Sequence, residues 1–399
     1  MTAWLHIVGI GEDGVDGLSP KARAAVQNAD YIVGGKRHHA LIGDVSAERI
    51  NWPSPFDALI SQLQSLRGEN VVVLATGDPL WFSVGNNIVA AFDMAEVQFH
   101  AHVGAFQLAA AQMGWALQDV DCLSVHGRPI ERIKPLLQNG RKLLLLTSNG
   151  AAVSEIAAFL EEAGFGDSQL TALSHLGGAD QTRFEGNAMN WAHKVPDLNT
   201  LAIECIADAV EHIMPQGSGL PDDAFEHDGT MTKQEVRAIT LAKLMPMPNA
   251  LLWDVGCGCG SVAVEWMRSA RNARAIGIET RADRRAFAKA NALNLGGFDL
   301  PLIDQPVPDA LNDLEAPDAI FVGGGLSAET FEACLVALKP MGRLVCNAVT
   351  LGSEQVLLDK HAEHGGELSR LQFSRAIPVG NKMGWKPAMP VTQYSLVKR

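Results

Sequence analysis

Short runs of consecutive apolar residues alternate with stretches where apolar residues return every three or four positions, and this rhythm spans nearly all 399 residues. Runs bounded by turn formers read as strands; the three-to-four spacing reads as helices with one buried face. In the first half the runs predict strands at 4–8, 31–33, 71–75, 143–147 and 201–206. Helical spacing predicts helices over 20–28, 56–66, 106–113 and 151–162, the last placing Val153, Ile156, Ala157 and Leu160 on one face. Strands and helices in this alternation imply α/β architecture.

The pattern fails at 214–226, MPQGSGLPDDAFE, which reads as a linker. It restarts with a helix at 233–244 and a strand at 250–255, then a glycine loop. Helices at 262–268, 284–294 and 327–338 then alternate with strands at 273–279, 319–322 and 343–348. Two domains follow, 1–213 and 227–399. At 47% hydrophobic and 19% charged, both can bury a core, and wholesale disorder is excluded. Apolar runs such as 143–146 fall far short of the roughly 20 residues of a membrane span, and no leader-like segment opens the chain. A soluble, cytoplasmic protein is expected. Six scattered cysteines (Cys122, Cys205, Cys257, Cys259, Cys334 and Cys346) point to reduced thiols rather than a disulfide framework.

Charge narrows the partners. The net charge of −13 repels a nucleic-acid backbone. It is uneven: residues 1–213 hold 13 basic and 24 acidic residues, whereas 214–399 hold 19 and 21. A small anionic substrate then needs a local basic patch.

The sharper chemistry lies in the second domain. The apolar run 251–255 is followed by Gly256-Cys257-Gly258-Cys259-Gly260 and a helix. Glycines there let the backbone turn tightly and approach a ligand. Glu279 ends the next strand, 19 residues after Gly260, where a carboxylate can accept from both hydroxyls of a ribose. A dinucleotide fold prefers G-x-G-x-x-G, and Asp254 just before the loop would repel a pyrophosphate. It suits a cationic ligand end, such as the sulfonium and ammonium of S-adenosylmethionine. A metal at Cys257 and Cys259 lacks two further ligands, and His361 and His364 read as solvated helix residues.

Three segments near that loop make a resemblance. They are 227–237 (HDGTMTKQEVR), Ile320-Phe321-Val322-Gly323-Gly324-Gly325, and 339–350 (KPMGRLVCNAVT). Together they resemble the T-type methyltransferases of cobalamin biosynthesis, which methylate C-15 of a precorrin and decarboxylate its ring-C acetate. The resemblance implies a Rossmann-like class I fold in which Thr232, Gly256, Cys257, Gly258, Cys259, Gly260 and Glu279 contact S-adenosylmethionine. Where the family has Gly-Asp-Ala-Pro against the adenine, this chain reads Gln305-Pro306-Val307-Pro308, so only Val307 carries over. His227 and Asp228 are candidates for proton transfer or for a loop role. Lys233 and Arg237, four apart, either grip substrate carboxylates or form a solvated face.

The first domain opens with spaced glycines, Gly9 and Gly11, after its first strand. It continues with Thr76-Gly77-Asp78-Pro79-Leu80-Trp81, a small-residue helix at 105–113, and Ser174-His175-Leu176-Gly177-Gly178. These segments resemble the E-type tetrapyrrole methylases. The resemblance implies a two-lobed α/β domain holding S-adenosylmethionine in a cleft, and it points to Gly9, Gly11, Gly77, Asp78, Trp81, Gly104 and Ala105. Asp78 can equally stabilise its own turn. Gly104 and Ala105 lack hydroxyls that many members carry there, leaving backbone donors. Lys36-Arg37-His38-His39 is either a solvated run or a carboxylate-recognition patch. His126-Gly127-Arg128 is a second such candidate.

E-type and T-type domains in one chain imply two S-adenosylmethionine sites and methylation of a precorrin at C-5 and C-15 with decarboxylation, giving precorrin-8. The resemblance also implies homo-oligomers. No nucleic acid, membrane or metal enters this reading. The alternative is a methyltransferase of another tetrapyrrole or small molecule with a silent first domain.

Overall fold

A computed structural model describes residues 3–210 and 213–399. The ends of the expected first domain, at 1–2 and 211–212, lie outside the described residues. The chain divides into two units, one made of 1–128 with 138–212, the other of 129–137 with 213–399.

In the first unit a five-stranded parallel sheet runs in the order Glu48–Asn51, Tyr31–Gly34, Val71–Thr76, Leu5–Ile10, Val97–His100. Alternate side chains feed two cores because successive residues point to opposite faces. Leu5, Ile7, Val71 and Val73 pack with Leu59, Leu63 and Ile88 on one face. Val8, Ile10, Val72 and Leu74 pack with Ala22 and Val26 on the other. Burial on both faces explains why these strands are continuous apolar runs. The expected helix at 56–66 begins as a 3-10 turn, Phe56–Ala58, and continues as Leu59–Ser65.

A second sheet has the order Asp121–Ser124, Lys142–Leu146, Asn199–Glu204, Gln169–Ser174, Thr182–Asn187, parallel only in its first pair. The helix Ala105–Met113 lays Phe106, Ala109 and Ala110 on Leu144, Leu173 and Ala202. Gly114, at φ +64°, ends it in the left-handed conformation.

The second unit has a seven-stranded sheet in the order Leu302–Ile303, Arg274–Ile278, Leu251–Val255, Ala319–Val322, Arg343–Ala348, Val391–Val397, Glu367–Leu371. The first five are parallel. Val391–Val397 runs antiparallel to both neighbours. Leu251–Val255 is buried throughout: Leu252 joins Leu241, Val264 and Trp266, while Leu251, Trp253 and Val255 join Ile320, Val322 and Phe331. Strand order reverses between Leu251–Val255 and Ala319–Val322, so their carboxyl ends open a ligand crevice.

Residues 214–226 are not a free linker. Leu220 and Phe225 are buried in the second unit's core. The N–H groups of Gly219 and Leu220 donate to the Glu265 carboxylate at 2.7 and 3.0 Å. Two prolines and two glycines broke the apolar periodicity but did not release the segment. An antiparallel ribbon, Ser374–Val379 with Lys382–Pro387, completes the unit. Among the described residues no helix is long and apolar enough to cross a membrane. All six cysteines are free thiols.

Candidate functional site

Each unit places a glycine-lined loop at the carboxyl end of its sheet. In the second unit Gly256, Gly258 and Gly260 have φ of +69°, +56° and +75°, a region that glycine enters without penalty. A Cβ on Gly256 would lie 2.7 Å from the Gly324 backbone. The loop therefore closes against the Gly323-Gly324 turn that ends the neighbouring strand.

Two carboxylates frame this loop. Glu279 Oε2 accepts from Gly258 N at 3.1 Å and Oε1 from Arg281 N at 3.0 Å. Each oxygen keeps a lone pair for an incoming hydroxyl. Asp254 Oδ2 accepts from Ala263 N at 3.0 Å, whereas Oδ1 is buried without a partner. Burial, which outweighs the hydrogen bond from Ala263, pushes the Asp254 carboxyl up to about 7; the charge of Glu279 acts in the same direction. An unpartnered carboxylate oxygen suits a cationic ligand end.

Cys257 and Cys259 are buried beside these acids, and burial raises both thiols. They take part in no metal-ligating cluster among the described residues. The cluster that does form, Glu332, Glu363 and His364, has the Lys360 ammonium against Glu332 and 2.7 Å from Glu363. His364 is not a solvated helix residue: it stacks on Phe331 at 5.6 Å and bonds Glu332 at 3.0 Å.

Other sequence candidates fall differently. His227 Nδ1 accepts from Gly229 N at 2.8 Å, and Asp228 accepts from Thr230 N at 2.9 Å. The Thr230 bond first, then Arg284 at 2.9 Å, hold the Asp228 carboxyl below its ordinary range. Both residues thus stabilise a turn. The Thr232 carbonyl accepts from Arg237 Nη1 at 2.6 Å, and Val307 packs half-buried on the core. Lys233 stands at the N-terminal boundary of the helix Gln234–Leu244, with no capping hydrogen bond from its side chain. Arg237 is wholly buried: its guanidinium meets Glu265 at 2.6 Å, Asp222 at 3.2 Å and the Leu220 carbonyl. It cannot pair with Lys233 to grip a substrate, because an inward-facing helix position at i+4 is committed to the core.

In the first unit a cavity of about 730 Å³ is lined by Gly11, Arg37, Gly77, Asp78, Trp81, Gly104, Ala105, His126 and Arg128, among others. Gly9 lies behind this wall, where a Cβ would run into the Gly77 carbonyl oxygen and sit 2.8 Å from His102 Cβ. Gly77, at φ +62°, would place a Cβ 2.8 Å from Gly104 Cα. Three loops therefore meet at glycine. Asp78 Oδ1 accepts from Leu80 N at 2.8 Å, so it holds its turn and faces the cavity together. The Gly104 N–H donates to Gln107 Oε1 at 3.1 Å, which removes one of the backbone donors expected there.

The basic run splits. Lys36 is exposed, whereas His38 and His39 are buried in the helix Lys36–Leu41. Burial, reinforced by Arg37, pushes His38 down to about 4. Arg37 lines the cavity, paired with Glu12 and donating to Thr76 Oγ1 at 2.6 Å. Arg128 lies 5.7 Å from the Phe82 ring. Glu12 and His175 also line this wall. No local pattern marks Glu12; His175 stands in a run whose resemblance carried no chemical role.

The open sheet with its glycine loop, a ribose-ready carboxylate at Glu279 and an orphaned acid at Asp254 fit S-adenosylmethionine, and define a methyltransferase. Residues 4–190 match the family model of tetrapyrrole (corrin/porphyrin) methylases, and residues 223–398 match that of the precorrin methyltransferase domain. The whole chain is 44% identical to the precorrin-6Y C(5,15)-methyltransferase (decarboxylating) of a Sinorhizobium species, covering 97% of that protein. It is 38% identical to the protein of the same name from Mycobacterium tuberculosis, over 98% of this chain and 99% of that one. The crystal structure of the C-terminal domain of the Rhodobacter capsulatus precorrin-6Y C5,15-methyltransferase is 42% identical, covering 46% of this chain and 100% of that one, with a TM-score of 0.43. The chain belongs to the precorrin-6Y C(5,15)-methyltransferase (decarboxylating) family. Methyltransferases of this family use S-adenosylmethionine.

Proposed function

We propose that this chain methylates a precorrin at C-5 and C-15 and decarboxylates its ring-C acetate, with the first unit acting at C-5 and the second at C-15. The observation that carries this reading is the presence of two separate glycine-lined loops, one per unit, in a chain matched along its length by decarboxylating C(5,15) relatives. Each unit then binds one S-adenosylmethionine. Gly256, Gly258, Gly260, Asp254 and Glu279 hold it in the second unit, with Thr232 and Val307 at the edge. In the first unit Gly9, Gly11, Gly77, Asp78, Trp81, Gly104 and Ala105 shape its cleft.

S-adenosylmethionine supplies an activated methyl group. The protein's task is to hold an electron-rich ring carbon in line with it, where proximity supplies much of the rate. No covalent nucleophile is needed. In decarboxylation the conjugated macrocycle takes up the electrons left by carbon dioxide. Arg37 and Arg128 on the first unit's cavity wall are the cations suited to the substrate's carboxylates.

The exposed apolar side chains of the ribbon, with Trp385 77% and Met383 65% exposed, support association with further copies of the chain. The reading places the enzyme in the cytoplasm. Isothermal titration of the intact chain tests the site count: two S-adenosylmethionine per chain are expected, and one would remove a unit from the scheme.

A further inference from the structure

The first unit's cavity wall contains two side chains to which methyl-donor binding gives no task. Glu12 follows the strand Leu5–Ile10, and His175 follows the strand Gln169–Ser174. Glu12 Oε2 lies 3.1 Å from His175 Nδ1, and its other oxygen pairs with Arg37. A carboxylate only accepts, so Nδ1 carries a proton, and in the neutral ring Nε2 then keeps the lone pair. Nε2 makes no hydrogen bond among the described residues, and the ring lines the cavity with its side chain 32% exposed. Gly178 permits the approach, since a Cβ there would lie 2.8 Å from Glu12 Cβ. His175 itself is held at φ +48°, an uncommon conformation for a residue with a Cβ.

The chemistry has a matching vacancy. Moving a methyl group from a sulfonium to a ring carbon forms one C–C bond, breaks one S–C bond and leaves the electron pair on sulfur. The macrocycle gains one positive charge and must release one proton to return to neutrality. We propose that His175 Nε2 accepts that proton at the first unit's site. Glu12 is the positioning residue that fixes the tautomer and stabilises the resulting imidazolium, and Arg37 anchors Glu12. This inference rests on the reading of the first unit as a methyl-transfer site.

The other titratable groups on the wall are less suited. His38 has both ring nitrogens engaged, by Gly35 N and Thr76 Oγ1. Asp78 holds Leu80 N, and Asp197 holds Gly150 N. His126 Nδ1 faces the Thr147 carbonyl at 3.3 Å, with no carboxylate to support a cation. Arg128 carries no lone pair to receive a proton.

The test uses the intact chain with reduced precorrin-6, labelled S-adenosylmethionine and two variants. His175→Asn keeps a residue that tolerates the left-handed conformation and an amide that can donate to Glu12, but it removes the proton acceptor. It is expected to slow C-5 methylation by about 10²–10⁴-fold while leaving C-15 methylation and donor stoichiometry unchanged. Glu12→Gln is expected to lower the kcat of C-5 methylation more than it changes the KM for the precorrin, because the imidazolium formed on proton transfer loses its carboxylate partner. Imidazole nitrogen NMR on the donor-free protein gives an independent readout: the neutral His175 ring should show the Nδ1–H tautomer, with the lone pair on Nε2. An unchanged C-5 kcat in His175→Asn or Glu12→Gln, or an Nε2–H tautomer at His175, overturns the proton-acceptor role alone. Wild-type protein that transfers no methyl to C-5 overturns the reading of the first unit, and this role with it.

Discussion

Arg237 and Glu265 form an ion pair at 2.6 Å in which neither side chain has any exposed surface. The same carboxylate receives the N–H groups of Gly219 and Leu220, which ties the 214–226 segment to the second unit. Breaking a buried pair from one side leaves an uncompensated charge and costs about 3–5 kcal/mol. Arg237→Met is therefore expected to destabilise the protein by about that amount in equilibrium urea unfolding. A substrate-gripping arginine would instead raise KM and leave unfolding unchanged.

The glycine loops give a paired expectation. Gly256→Ala puts a Cβ 2.7 Å from the Gly324 backbone at φ +69°. It should abolish donor binding in the second unit and C-15 methylation, while donor binding in the first unit persists. Gly9→Val, whose Cβ would strike the Gly77 carbonyl, should do the reverse. Calorimetric stoichiometry should fall from two to one in each.

Asp254 sets a pH dependence with two signs. Its folded-state pKa is about 7 against an ordinary 3.8, so the folded protein holds this proton more tightly than the unfolded chain. That contribution to stability is complete below 3.8 and is lost as pH rises through about 7. A cationic ligand end needs the carboxylate, so donor affinity in the second unit should rise over the upper part of the same range. Asp254→Asn should flatten both trends and weaken binding. Titration in the Gly9→Val background reads the second unit alone.

Arg128 and Lys36 separate in the structure although both were sequence candidates. Arg128 lines the cavity beside Phe82, whereas Lys36 is exposed and outside the lining. Arg128→Gln should raise KM for the precorrin in the C-5 step by about 10- to 100-fold, as expected for one charge-assisted bond of about 1.5–3 kcal/mol. Lys36→Gln should leave it unchanged. Steady-state kinetics of each methylation in turn distinguishes them.

The architecture was legible where burial wrote it into the pattern. Strands buried on both faces, such as Val71–Thr76 and Ala319–Val322, stand out as apolar runs. Edge strands do not: Glu48–Asn51 is polar and largely exposed, so no periodicity marks it. The glycine loops were legible because only glycine fits φ near +60° at a backbone crossing. Arg237 was misread because helical spacing shows that two positions share a face, not whether that face looks inward. The Glu12–His175 pair was invisible because 163 residues separate its members.

The most direct measurement is the mass of the product formed from reduced precorrin-6 and isotopically labelled S-adenosylmethionine by the intact chain. Gain of two labelled methyl groups with loss of one carbon dioxide is the expected result. A product carrying a single added methyl at saturating donor, or one that retains the ring-C acetate, would contradict the assignment of two methyl-transfer sites and a decarboxylation to this chain.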